Sequence, residues 1–255
     1  MKLDELQRGL VLESSVNYLE WMQILKKQQD MLRIYATRCS SALTLIEPLY
    51  HGKTTTSDSQ VFVQKVIRQN RKNLTTPTWF STLFNRMVEK KFGAVGLLRS
   101  ASVFLTSDDT LADMFGDVCF ALPFNETKFL VYKGVRDTSS LAFQIAMTIS
   151  RLMYGVEQAT ASLMAVNSES NLDAVMKLIN NEGFFDAVYK DYEKNFFFFN
   201  NVAELAKFVE QYPVCEIMAG GVSYIPLVKV PSGIDKVKAW NELRLAIQQS
   251  TFATT

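Results

Sequence analysis

Between residues 101 and 220 short apolar runs alternate with amphipathic stretches, and this alternation limits the fold more than any other feature. Ser102–Thr106 (SVFLT) reads as a strand, and Ser107 can cap a short helix carrying Leu111, Met114 and Phe115 that Gly116 stops. Val118–Leu122 and Lys128–Lys133 read as a strand pair joined by a Pro-Phe-Asn-Glu turn, followed by a helix from Thr138 to Tyr154. The order then recurs. Ser162–Val166 reads as a strand, and Leu172, Val175, Met176 and Ile179 mark a helix face. Phe184–Tyr189 and Asn195–Asn200 read as a hairpin, Leu205, Phe208, Val209 and Tyr212 as a helix, and Val214–Met218 as a closing strand. Matching positions, Glu126, Phe129, Tyr132 and Val135 against Glu193, Phe196, Phe199 and Val202, suggest a duplication; chance similarity of two apolar hairpins is the alternative.

The fold class expected is therefore α+β: an N-terminal helical region, a duplicated ferredoxin-like (βαββαβ) region and a C-terminal helix. The corresponding boundaries are 1–100, 101–220 and 221–255. In the first stretch, Leu12, Val16, Leu19, Met22, Leu25, Leu32, Ala36, Cys39, Leu43 and Ile46 recur at helical steps with a gap at Gln28–Gln29. One long helix or two broken near Gln28–Asp30 satisfies the pattern, packed on a core or forming a dimer seam, with Pro48 and Gly52 ending it. Residues 52–60 read as a polar loop and Val61–Arg71 as helix. Thr76 and Pro77 open a further helix whose apolar face is Trp79, Phe80, Leu83, Phe84, Met87 and Val88. In the last stretch Tyr224–Val230 carries Pro226, which argues for an edge strand. Ser232 and Asp235 cap a final helix bearing Val237, Trp240, Leu243 and Ile247.

Catalytic and metal chemistry find little to work with. The three cysteines, Cys39, Cys119 and Cys215, are scattered, without CxxC or Cys/His spacing, so they read as small buried hydrophobes in a reducing setting. His51 is the only histidine and reads as structural. Gly52-Lys53-Thr54 resembles the tail of a phosphate loop, but Glu47 stands where that loop needs its first glycine. Gly93-Ala94-Val95-Gly96 reads as a turn between elements. Asp109, Asp113 and Asp117 recur at four-residue steps; acids at a helix start complement the dipole without any cation. Neither a cofactor nor a metal is expected. The longest nearly uncharged apolar stretch, Leu141–Tyr154, contains Arg151 and is too short to cross a bilayer. With no secretory signal visible, an intracellular, cytoplasmic location is expected.

Charge is the most informative clue to partners. The chain carries a net +1, yet residues 61–100 hold eight basic side chains against Glu89 alone, while residues 101–220 hold 8 basic and 16 acidic ones. Phosphates neutralised by several Lys and Arg give salt-sensitive nucleic-acid affinity. The expected function is thus noncatalytic nucleic-acid binding, RNA ahead of DNA, through a basic helical face. The residues expected to carry it are Lys65, Arg68, Arg71, Lys72, Arg86, Lys90, Lys91 and Arg99, with Trp79 or Phe80 as stacking groups. The Phe196–Phe199 run offers aromatics too, but its acidic surroundings repel phosphate and favour core packing. The alternative is a structural or assembly protein that associates through the acidic half and the first helix.

Overall fold

The computed structural model describes residues 17–53, 60–67, 77–95, 97, 99–155, 166–212, 215–231 and 233–252. Among these, helices α1 (Tyr18–Lys27) and α2 (Gln29–Arg38) precede strands β1 (Leu49–Lys53) and β2 (Phe62–Val66). Helix α3 (Thr78–Phe92), β3 (Val103–Thr106), α4 (Asp109–Asp113), β4 (Asp117–Ala121), β5 (Lys128–Tyr132) and α5 (Thr138–Tyr154) follow. Next come α6 (Leu172–Asn180), α7 (Glu182–Tyr192), β6 (Phe196–Phe199), α8 (Val202–Gln211), β7 (Glu216–Gly220), β8 (Tyr224–Lys229) and α9 (Lys236–Ser250). The mixed helix-and-sheet class holds, but a duplicated ferredoxin-like arrangement is not confirmed. All eight strands join one sheet, order β2-β8-β4-β1-β3-β7-β5-β6, with every neighbouring pair antiparallel. That sheet draws strands from each of the three sequence stretches.

Several elements differ from the sequence pattern, each for a local reason. Phe184–Tyr189 lies within α7, because Asn181 accepts a hydrogen bond from Phe184 N at 3.0 Å and Phe185 and Val188 bury at helical spacing. Val61–Arg71 is not a described helix: Phe62–Val66 is an edge strand whose Val63 registers with Leu227. β1 occupies the stretch expected to be helix end and loop. β4 and β5 do not pair with each other; β4 lies between β8 and β1, and β5 between β7 and β6. β8 is not an edge strand despite Pro226. Its ladder with β4 ends at Ala121↔Leu227, so no β4 partner needs the absent N–H, while the Pro226 carbonyl still accepts from Leu122 N at 2.9 Å. The break between α1 and α2 falls at Gln28, as the gap in the pattern indicated. Leu12, Val16 and the Ser162–Ala165 stretch lie outside the described residues.

Strand alternation divides the interior in two. In β7, Ile217 and Ala219 enter one apolar cluster and Met218 the other; in β6, Phe197 and Phe199 side with the first, Phe196 and Phe198 with the second. Helices α1, α2, α8 and α9 build the first cluster, where the Trp240 ring packs 5.4 Å from that of Phe120. Helices α3, α5, α6 and α7 build the second, where Phe84 packs 5.2 Å from Phe196. The buried indoles keep their polar edges paired in the first cluster: Trp21 Nε1 donates to Lys229 O at 2.9 Å and Trp240 Nε1 to Leu45 O at 3.2 Å.

Candidate functional site

Of the described basic residues picked from the sequence, Arg86, Lys90 and Lys91 lie on α3, Lys65 on β2, and Arg99 is buried. Trp79 and Phe80 are buried in the second cluster at 1% and 0% exposure, so neither can stack on a base; the apolar face of α3 is core throughout. Arg86 pairs with Glu182 of α7, donates to Ile179 O at 2.7 Å, and lies 3.9 Å over the Phe185 ring. Lys90 pairs with Asp186. Lys91 donates to the carbonyls of Glu193 and Phe196. The cations on the outer side of α3 thus meet carboxylates and carbonyls of their own chain. Arg99 is buried elsewhere. Arg68, Arg71 and Lys72 lie outside the described residues.

The acidic repeat is likewise spent on structure. Asp108 caps α4, accepting from Thr110 N at 2.9 Å, and takes two hydrogen bonds from Arg136. Burial raises its pKa, but the Thr110, Leu111 and Arg136 hydrogen bonds outweigh that and hold it below the ordinary value. Asp109 pairs with Lys236 and Asp117 with Lys229. No metal-holding group of His, Cys, Asp or Glu occurs among the described residues. The three thiols are buried, and desolvation pushes them up to about 12, 12 and 11 for Cys39, Cys119 and Cys215.

Cationic groups and a buried carboxylate meet around open space at a fault in the sheet. β1 and β3 share a single registered pair, Tyr50↔Thr106, whereas β1 and β4 share five. Past that pair a side chain replaces the ladder: His51 Nδ1 donates to Phe104 O at 2.7 Å. A carbonyl only accepts, so in that contact Nδ1 carries a proton. The strands part here, and a cavity of about 340 Å³ opens between them.

Its described walls come from seven parts of the fold. β1 gives Tyr50 to Lys53, β2 gives Lys65, β3 gives Phe104 to Thr106, and β7 gives Glu216. α4 supplies Leu111 and Ala112, with Phe115 just beyond it, and the start of α5 supplies Thr138 and Ser139; Arg99 enters ahead of β3. Gly52 is what lets α4 lie so close. A Cβ at that position would stand 2.0 Å from Ala112 O.

Arg99 is 3% exposed, with its guanidinium about 5 Å from both the Phe80 and Phe104 rings (5.3 and 5.2 Å). Its Nη2 donates to Thr138 Oγ1 at 2.9 Å, and Thr138 Oγ1 donates to Glu216 Oε1 at 2.6 Å. Desolvation pushes the Glu216 carboxyl above its ordinary value; the Thr138 hydrogen bond and Arg99 pull it back part of the way, while Asp137 adds to the rise. Along the described lining Lys53, Lys65 and Arg99 face a single carboxylate, Glu216. Of this site, Lys65 and Arg99 were expected in another role, while His51 read as structural and Gly52-Lys53 as part of a polar loop. The chain's only histidine standing next to a glycine, His51-Gly52, was the available signal; Glu216, Thr138 and Phe115 carried none.

Comparison of the chain with family models, curated proteins and solved structures finds no match. No described helix is long and apolar enough to cross a membrane.

Proposed function

We propose that this chain binds a small anionic molecule with an apolar portion in the cleft between β1 and β3. The observation that carries the reading is the convergence of Lys53, Lys65 and Arg99 on one recess, with Glu216 as the carboxylate among its described lining residues. Cations gathered around a partly enclosed, low-dielectric space attract an anion more strongly than the same charges on an open face. Phe104, Leu111 and Phe115 supply the apolar wall, and Thr106, Thr138 and Ser139 supply hydroxyls to orient a polar edge. A volume of about 340 Å³ suits a metabolite rather than a polymer.

The test is a thermal-shift screen with inorganic phosphate, pyrophosphate, nucleoside monophosphates and sugar phosphates, followed by calorimetry. At least one phosphorylated compound should raise the melting temperature, and Lys53→Gln with Lys65→Gln should weaken it about tenfold or more, the loss of one charge-assisted contact being worth that much. No shift with any compound at millimolar concentration sinks the reading.

Nucleic-acid binding stays a proposal on narrower ground: Arg68, Arg71 and Lys72 follow directly after β2 and its Lys65. A gel shift against RNA and DNA at two salt concentrations, with Arg68→Glu and Arg71→Glu as controls, decides it. Size that grows with concentration in light scattering, without any shift, speaks for an assembly role instead.

A further inference from the structure

The cleft's carboxylate is held by a chain of hydrogen bonds whose direction is fixed. A guanidinium only donates and a carboxylate only accepts. The Thr138 hydroxyl between them therefore receives from Arg99 Nη2 and sends its one proton to Glu216 Oε1. Thr138 N also points at Oε1, at 3.4 Å. Among the described residues Glu216 Oε2 accepts no hydrogen bond, so it is the oxygen left with lone pairs for a bound molecule.

Each end of the chain is anchored. Arg99 N donates to Asn85 Oδ1 of α3 at 2.9 Å, and the Phe80 and Phe104 rings flank the guanidinium. Thr138 opens α5, whose N-cap Asp137 accepts from Ser140 N at 2.8 Å, so the hydroxyl rides on a 17-residue helix. Glu216 opens β7, opposite Thr106 in the ladder with β3.

We propose that Arg99 is a positioning residue for this cleft: through the Thr138 hydroxyl it orients Glu216 so that Oε1 is engaged inside the protein and Oε2 is presented to the ligand. The inference rests on the cleft being a ligand site, but the orientation itself belongs to the ligand-free protein. The charged and titratable groups described around the cleft with Glu216 are Arg99 ahead of β3, Asp137 at the start of α5, His51 and Lys53 from β1, and Lys65 from β2; α4 offers Leu111 and Ala112 to the lining. Arg99 and the Thr138 hydroxyl both favour the ionised carboxylate, so removing either makes Glu216 hold its proton to higher pH.

The experiment is a ¹³C NMR titration of the glutamate carboxyl carbons in ligand-free protein, with Glu216→Gln assigning the signal. In Arg99→Gln and in Thr138→Val the Glu216 midpoint should rise by roughly one unit, a tenfold gain in proton affinity. Thr138→Ser, which restores the hydroxyl, should return it. Thr138→Val keeps the size of the side chain, so it carries the test even where Arg99→Gln fails to fold. A wild-type midpoint in Thr138→Val overturns the proposal. A blank ligand screen with the NMR shift intact overturns the cleft's function alone, so the two failures are distinguishable.

Discussion

Arg86 and Arg99 stand thirteen residues apart in the same cationic run, and the fold uses them in opposite ways. Arg86 lies on α3 against α7, where Glu182 meets its charge and Phe185 its flat face. Lys90, one turn along, repeats the arrangement with Asp186 and the rings of Phe185 and Tyr189. That surface is a helix–helix seam whose cations are neutralised by the acidic half of the chain. Arg99 instead enters a recess whose described lining also carries Lys53, Lys65 and the carboxylate of Glu216. Net charge along a sequence says how many cations there are. Only the packing says where each one ends up, and cations gathered around a cavity are the better guide to a ligand.

The sharpest way to break this contrast is at Trp79. As a base-stacking group it would lie on the surface and its loss would leave stability unchanged. As a core residue at 1% exposure, Trp79→Ala should cost about 4 kcal/mol in urea unfolding, in the range for a large aromatic removed from a packed interior. A loss below about 1 kcal/mol would put α3 the other way round.

A second test addresses the cleft. Gly52→Ala places a methyl against the backbone of α4, with no flexible side chain to give way. It should destabilise by about 2 kcal/mol as overpacking does, and displace Phe115 from the cleft wall. Wild-type stability together with unaltered ligand shifts would mean that α4 is not seated on β1.

How much of this was legible in the sequence follows from the range of the interactions involved. Helices α3 and α5 were legible because 3.6-residue periodicity is a local signal; Leu141, Ile145 and Ile149 carry the pattern for α5. Phe196–Phe199 was legible down to its two faces, because a strand of identical residues still alternates. The order of strands was not. Nothing in Val118–Ala121 or Lys128–Tyr132 says that each will pair with strands a hundred residues away, β8 and β7, rather than with the other. The cleft is legible least of all. It exists where two strands stop pairing, and its groups come from positions 51, 53, 65, 99, 138 and 216, which no spacing rule connects. Phe184–Tyr189 shows the converse error: an apolar run of six can be strand or helix, and the Asn181 cap decided it.

The pH dependence of stability separates the two regions again. The folded pKa of Glu216 is raised, so between its unfolded and folded values the native state holds more protons, and stability falls as pH rises through that window. Glu216→Gln removes that loss. The variant should match wild type below the unfolded value and be more stable than wild type near neutrality, read from urea midpoints at several pH values. Asp108 works with the opposite sign. Its folded pKa is lowered, so the stabilisation from its cap and from Arg136 is present above the unfolded value and is lost as pH falls through the folded one. Asp108→Asn should therefore destabilise at neutral pH and converge on wild type in acid. If Glu216→Gln were instead less stable at neutral pH, Arg99 would be outweighing the cost of burial, and the cleft's carboxylate would be an ion-pair partner rather than a strained one.

The smallest effect belongs to the seam. Glu182 and Asp186 are mostly solvent-exposed, and such pairs are worth little in water. Arg86→Gln and Lys90→Gln should each cost about 1 kcal/mol or less, with Arg86 the larger because it also loses the Ile179 carbonyl bond and the Phe185 contact. The informative variant is the exchange of partners. Lys90→Glu alone sets two acids against each other across the seam, and Asp186→Lys alone does the same with two bases. The double exchange should recover most of the loss, and the recovery should shrink at high salt. A seam that answers its own cations behaves this way. A face that waits for a polyanion would not, because there Asp186→Lys would add a binding charge and strengthen retention on RNA without any penalty in stability.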